Sequence, residues 1–348
     1  MNILAYPAGI PFSTPVIRFY ALFILFGAGL ALLLSNYRAH KAGFDWTFFD
    51  SIFLVAFPLG IVGARIWYVI ASFQSEFLPV FQNRGFWAGF GNLFALWEGG
   101  LAIQGGVILG VLSGVLYVMF RRKGTSVLQI TDFAVPTIFV AQMFGRWGNF
   151  FNQEVFGHAV LPQAWNFLPS FIMNNMQNGS SMMLSGVQLP VGSVAAPLFL
   201  VEGVVNIAFY FILTQGLPAL EGKHYVHGDQ TFGYFVAYGI VRAVLEPLRN
   251  PSFIMGTDSV NSGHNGYKSF GMAIAFVSVG LALIVINHVL AYLARKGKLD
   301  HISFLKSLYV TEVSSLEVEE KTPVQEELDD SIDMKKLMEK EEEMNHTK

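Results

Sequence analysis

The chain has 348 residues, of which 53% are hydrophobic and 14% charged; 33 are phenylalanine, and the formal net charge is -3. Soluble domains carry about 25% charged residues, so with a mean hydropathy of +0.47 the composition excludes an ordinary soluble domain and points to a membrane protein. Cysteine is absent, which excludes disulfides, thiolate metal sites and a cysteine nucleophile on this chain.

A hydrocarbon layer about 30 Å thick needs roughly 20 apolar residues per helical span. Seven stretches qualify, near 19–37, 48–72, 94–120, 127–150, 194–215, 231–247 and 269–292. The first follows Tyr6-Pro7 and Pro11 to Pro15, with Arg18 as its strong positive charge, and ends at Asn36, Tyr37 and Arg38. With no small-residue cleavage site there, a retained helix is expected rather than a removed signal peptide. Arg38 and Lys41, the Arg121-Arg122-Lys123 cluster, Lys223, and Arg295, Lys296 and Lys298 fall in alternate loops, while 152–193 has no Lys or Arg and 73–93 has only Arg84. Positive charge is retained on the cytoplasmic side. The expectation is a multi-pass membrane protein, N-terminus outside and C-terminus cytoplasmic.

Charge inside a span costs about 2.5 to 3.5 kcal/mol on insertion scales and normally faces a cavity or a partner. Arg65 lies within GIVGARIWYV, Glu98 and Gln104 within LWEGGLAIQGGVILG, Asp132 at the start of the fourth span and Arg146 near its end. Arg242, Glu246 and Arg249 fall at i, i+4 and i+7, on one helical face. Each has a plain structural reading. Arg38 and the 121–123 cluster anchor topology, Asp132 caps or pairs at a helix start, and Arg242 with Glu246 forms an ion pair. Taken together, four spans bring polar groups inward. Gly99-Gly100, Gly105-Gly106 and Gly110 let helices approach closely, so a shared polar cavity is the better account. Arginine forks suit phosphate oxygens; the predicted ligand is anionic and reaches the site within the membrane, as a phospholipid headgroup does. Asn149 and Asn152 offer donors and acceptors, and Glu154 can orient an arginine or move a proton.

The stretch GRWGNFFNQEVFG, residues 145–157, has the pattern G-R-x-G-N-F-x-N-x-E-x-x-G and resembles the signature of bacterial prolipoprotein diacylglyceryl transferases. The similarity extends through Arg18-Phe19-Tyr20, Gly63-Ala64-Arg65, Glu98-Gly99-Gly100, Asp132 to Pro136, Glu202 after Pro197, and Gly239, Arg242, Glu246 and Arg249. The resemblance implies an all-α integral membrane enzyme of about seven transmembrane helices. Its expected reaction moves the diacylglyceryl group of phosphatidylglycerol to the lipobox cysteine of a preprolipoprotein signal peptide, with no metal, organic cofactor or nucleic acid. It implies Arg146, Arg242, Asn149 and Glu154 as catalytic. Arg146, Asn152, Gly157, Tyr20, Gln104, Arg65, Glu246 and Arg249 are implied to bind substrate, although Tyr20 also suits an interfacial belt.

Two departures stand out. The family's third-span H-G-G is Gln104-Gly105-Gly106 here, and glutamine is no general base near neutral pH. Either an imidazole is not required or another group takes the thiol proton. The family's S-M-G-Q reads Ser269-Phe270-Gly271-Met272. The expected domains are 1–300, with an extracytoplasmic region near 152–193, and 301–348, an acidic cytoplasmic tail. From Glu312 onward thirteen acidic residues face five lysines, a composition that favours disorder. A lipid or small-molecule transporter is the alternative, and it would be expected to show an internal repeat; the 145–157 motif has no counterpart elsewhere in the chain.

Overall fold

The computed structural model describes residues 19–95, 103–121, 125–177, 187–253 and 267–298, all within the compact unit Met1–Tyr309. Glu98, the side chain of Gln104 and the tail 301–348 lie outside the described residues.

The predicted spans are helical. α1 (Phe19–Lys41) and α2 (Phe48–Ser72) are continuous, and a π-turn at Phe73–Phe77 leads into the short α3 (Leu78–Arg84) and α4 (Phe86–Leu93). The third predicted stretch contains α5 (Ile103–Arg121); its residues 96–102 lie outside the described ones. The fourth divides into α6 (Val127–Ala134) and α7 (Ile138–Phe151), with a 3-10 turn at Val135–Thr137 between them. Pro136 has no N–H to continue the α-helical ladder. Outside the bundle, β1 (Ala159–Val160) and α8 (Ser170–Met176) precede β2 (Val194–Ala195), and the two strands pair antiparallel, Ala159 opposite Ala195. That ribbon uses Val194 and Ala195, so the fifth span begins at α9 (Leu198–Phe211), directly after Pro197. A π-turn and α10 (Leu217–Glu221) follow, then α11 (Asp229–Leu245) and α12 (Tyr267–Arg295).

Five stretches, Phe19–Lys41, Phe48–Ser72, Val127–Phe151, Leu198–His224 and Phe270–Arg295, are long and apolar enough to cross a bilayer, and Gly105–Arg121 is a shorter apolar helix. Their outward faces carry Leu25, Phe26, Leu54, Ile70, Val111 and Val285, all exposed. Such a surface matches hydrocarbon, which gains nothing by being hidden from lipid.

Helices pair where small residues allow. α2 lies on α5, α1 and α9 on α7, and α12 on α11. At the α2–α5 crossing Gly63 and Gly105 face each other so closely that a Cβ on either would strike the carbonyl oxygen of the other. Only glycine permits that approach.

At the amino end of α11, Asp132 is almost fully buried. It accepts hydrogen bonds from the Gly228 N–H (2.7 Å), the Thr231 N–H (2.9 Å), the Thr231 hydroxyl (2.7 Å) and the Tyr225 hydroxyl (2.6 Å). The carboxylate of α6 thus satisfies donors at the helix start of α11, where the dipole favours negative charge. Arg38, at the end of α1, donates to the Asp132 and Phe133 carbonyls at 2.7 and 2.8 Å and to Gln230 of α11. Those carbonyls precede the break at Pro136.

Candidate functional site

α7 places Arg146 and Asn149 three residues apart, hence on one face, and the guanidinium donates to the Asn149 side-chain oxygen at 3.1 Å. After Phe151 the chain reverses sharply. Gln153 (φ 50°) and Val155 (φ 55°) both adopt left-handed backbone, which is costly for non-glycine residues and most so for a β-branched valine. The two flank Glu154 and fold it back over the helix end. Its N–H reaches the Asn149 carbonyl at 3.0 Å, and its carboxylate accepts from the Asn149 and Asn152 amides at 2.9 and 3.3 Å. The strain is held by packing on the other side. Gln153, buried, donates to the Asn175 carbonyl of α8 at 2.8 Å, and Asn175 donates to the Phe150 carbonyl at 2.7 Å.

Gly157 completes the reversal. Its N–H donates to the Ala196 carbonyl at 2.9 Å, and it forms an antiparallel bridge with Arg249. A Cβ there would lie 2.8 Å from that of Ala196 and 3.1 Å from the Leu248 carbonyl oxygen. The motif is thereby joined to the segments that carry Glu202 and Arg249. Tyr20 of α1 packs on Gly148, whose missing side chain admits the ring.

An alternating series of charges runs from this turn. Arg146 pairs with Glu202 of α9 at 2.8 Å, and Glu202 pairs with Arg249 at 3.2 Å. Arg249 in turn pairs with Glu246 at 3.3 Å, and Glu246 with Arg242 of α11 at 3.0 Å. The ion-paired series holds three guanidiniums and two carboxylates, formally +1, and the nearby Glu154, bonded to Asn149 and Asn152, brings the cluster to neutrality. Buried charge is tolerable on those terms. Burial pulls the Arg249 guanidinium below its ordinary range; Glu202 acts against the shift, while Arg146 and Arg242 add to it. Side-chain exposure divides the members. Glu202, Glu246 and Arg249 are 3% to 6% exposed, whereas Arg146 and Arg242 keep 21% and 18%. The first three make the wall, and the other two present guanidinium surface to whatever enters. The Asn152 side-chain oxygen and Arg249 Nε, both buried, take no hydrogen bond among the described residues.

Eight of the predicted residues are therefore gathered here: Tyr20, Arg146, Asn149, Asn152, Glu154, Gly157, Arg242 and Glu246, with Arg249 as a ninth. The described contacts of Arg65 lie elsewhere. It donates to the Leu93 and Asn92 carbonyls at 2.8 and 2.6 Å, at the carboxyl end of α4, and stacks near the Tyr68 and Phe77 rings. A cation suits that helix end. Glu202 has no site role in the sequence-based expectation, yet it is the carboxylate that couples Arg146 to Arg249. Its signal is a lone acid in the apolar run LFLVEGVV. Asn175, in a segment without a recognisable pattern, gives no such signal.

A helical membrane protein with a series of buried ion pairs that ends in two partly exposed arginines is the class defined by this fold and site. A family model described as "Prolipoprotein diacylglyceryl transferase" matches residues 9–289. A Streptococcus pneumoniae (strain ATCC 700669 / Spain 23F-1) protein named phosphatidylglycerol--prolipoprotein diacylglyceryl transferase is 33% identical over 279 residues, 80% of this chain and 93% of that protein. Proteins of the same name from Clostridium botulinum and Lactococcus lactis are each 33% identical, over 74% and 77% of this chain and 89% of their own lengths. The chain belongs to the prolipoprotein diacylglyceryl transferase family.

Proposed function

We propose that this protein transfers the diacylglyceryl group of phosphatidylglycerol to the thiol of a lipobox cysteine in a preprolipoprotein, the first step of lipoprotein maturation. The substrate sulfur attacks the glyceryl carbon that bears the phosphate oxygen. A C–S bond forms, the C–O bond breaks, and its electron pair leaves on glycerol 1-phosphate. Negative charge grows on the leaving phosphate, and preorganised donors at that place lower the barrier. Arg146 and Arg242 are the guanidiniums exposed enough to supply them, and this is the observation that carries the assignment of roles. Glu202, Glu246 and Arg249 hold the pair in place, while Asn149, Asn152 and Glu154 line the turn beside them.

The thiol must lose a proton, and its unperturbed pKa near 8.5 leaves a few per cent thiolate at neutral pH. The positive field of the two partly exposed arginines lowers that pKa without a dedicated base, which accords with Gln104 where the family often has histidine. The site belongs to the outer leaflet side, with about seven spans in residues 1–300, the region near 152–193 outside the cell and the tail 301–348 in the cytoplasm. The absence of Lys and Arg between 152 and 193 supports that orientation.

The test uses the purified protein, phosphatidylglycerol and a lipobox peptide. A thioether-linked product and free glycerol phosphate are expected. Arg146→Ala should remove about 2 to 4 kcal/mol of transition-state stabilisation, roughly 30- to 1000-fold in rate, while the protein still inserts. Ordinary turnover in an inserted Arg146→Ala protein would overturn the role given to Arg146.

A further inference from the structure

At the end of α11 remote from Arg242, three side chains from three helices converge. Glu221 ends α10, Asp229 opens α11 and His288 lies in α12, and their ligand atoms all lie within 4.8 Å of one another. Asp229 is fully buried. One of its oxygens accepts the Val226 N–H at 2.9 Å and stands 3.0 Å from His288 Nε2; the other accepts from the Asn287 amide at 2.9 Å. Asn287 also donates to the His227 carbonyl at 3.0 Å, so the carboxylate is held from behind. Glu221 Oε2 is buried, and among the described residues it takes no hydrogen bond and no lysine or arginine pairs with either carboxylate.

Two carboxylates this close, one of them fully buried, repel each other unless a proton or a cation stands between them. An imidazole facing the same point favours the cation, because one nitrogen and two oxygens form a donor set for first-row divalent metals rather than for calcium or magnesium. We propose that Glu221, Asp229 and His288 bind a divalent transition metal, zinc being the best matched, which pins α10, α11 and α12 together. A tetrahedral zinc with bonds near 2.1 Å sets its ligands about 3.4 Å apart. The His288–Asp229 separation is already close to that, and the partly exposed Glu221 and His288 have room to adjust. The Asn287 bond to Asp229 is the kind of outer contact that orients a metal-binding carboxylate. Partial exposure of His288, 38% of its side chain, provides entry and room for water as the fourth ligand. No local metal-motif spacing announces the set in the sequence; only the fold assembles it. The role is structural and separate from the transfer site, since Asp229 and Arg242 are thirteen residues, about 20 Å, apart along one helix.

The experiment uses the full chain without a histidine tag, purified in detergent without chelator. About one equivalent of metal per chain is expected by mass spectrometry of the digested protein. Chelation should lower the melting temperature, and zinc chloride alone should restore it. Glu221→Gln and His288→Ala should each abolish the zinc-dependent shift, while His224→Ala, at an exposed position on the same loop, should keep it. An equal shift in wild type and both variants, or none in wild type, overturns the proposal and leaves a shared proton as the link between the carboxylates. Should either variant fail to insert, cobalt added to the wild type decides the matter. Intense visible bands of a tetrahedral site support it, and the weak spectrum of aqueous cobalt refutes it.

Discussion

Glu202 holds two guanidiniums at once, Arg146 at 2.8 Å and Arg249 at 3.2 Å. Removing one partner of a buried ion pair costs about 3 to 5 kcal/mol, because the charge left behind has neither water nor a counterion. Glu202→Gln is therefore expected to lower the melting temperature in detergent and to reduce transfer at least tenfold, since Arg146 loses the group that aims it. Unchanged melting and unchanged rate together would show that Arg146 orients itself. Gln104 gives the opposite kind of test. If the arginine field suffices to ionise the thiol, Gln104→His should raise the initial rate by no more than about tenfold, roughly 1.4 kcal/mol. A larger gain, with a new titration near pKa 6.5 on the acid limb, would mean that an imidazole base is what the site lacks.

Between elements, the decisive contacts are made by absent side chains. Gly157 touches the lead-in to α9 and the strand-like segment at Arg249 simultaneously, with a hypothetical Cβ only 2.8 Å from Ala196. Gly157→Ala must push these segments apart by several tenths of an ångström. Loss of transfer with correct membrane insertion is expected, and a smaller effect than that of Arg146→Ala would sink the idea that the reversal sets the spacing of Arg146 and Arg249. Much at this scale was open to inspection in the sequence. Apolar runs of span length are hard to read otherwise, because lipid tolerates no unpaired backbone. The interruptions were less accessible. Pro136 marks the break between α6 and α7, but nothing in Val194-Ala195 announces a two-residue strand that delays the fifth span.

For the molecule as a whole, charges in apolar runs pointed to most of the candidate site, because each is too costly to be incidental. Their pairing was not accessible. Which carboxylate meets which arginine depends on how α7, α9 and α11 are placed side by side, and one acid in an apolar run looks like any other. Arg65 illustrates the limit: as a residue type it suits a phosphate, yet its described partners are the carbonyls at the end of α4. Glu221, Asp229 and His288 make the same point from the other side, with no spacing to draw attention to them.

The knot around Asp132 has a mechanical meaning. α7 and α11 each carry a partly exposed arginine at one end, and at the other end Asp132 and Arg38 lash the start of α11 to α6 and α1. The ion pairs join the same struts at the opposite end, through Glu202, Arg249 and Glu246. Two struts fastened at both ends form a truss, and the gap between Arg146 and Arg242 is then set partly by a joint some fourteen residues, about 20 Å, below them. Asp132→Asn, which weakens that lower joint without touching the site, should thus depress turnover as well as melting temperature. The two arginines would keep their charges and lose their gauge.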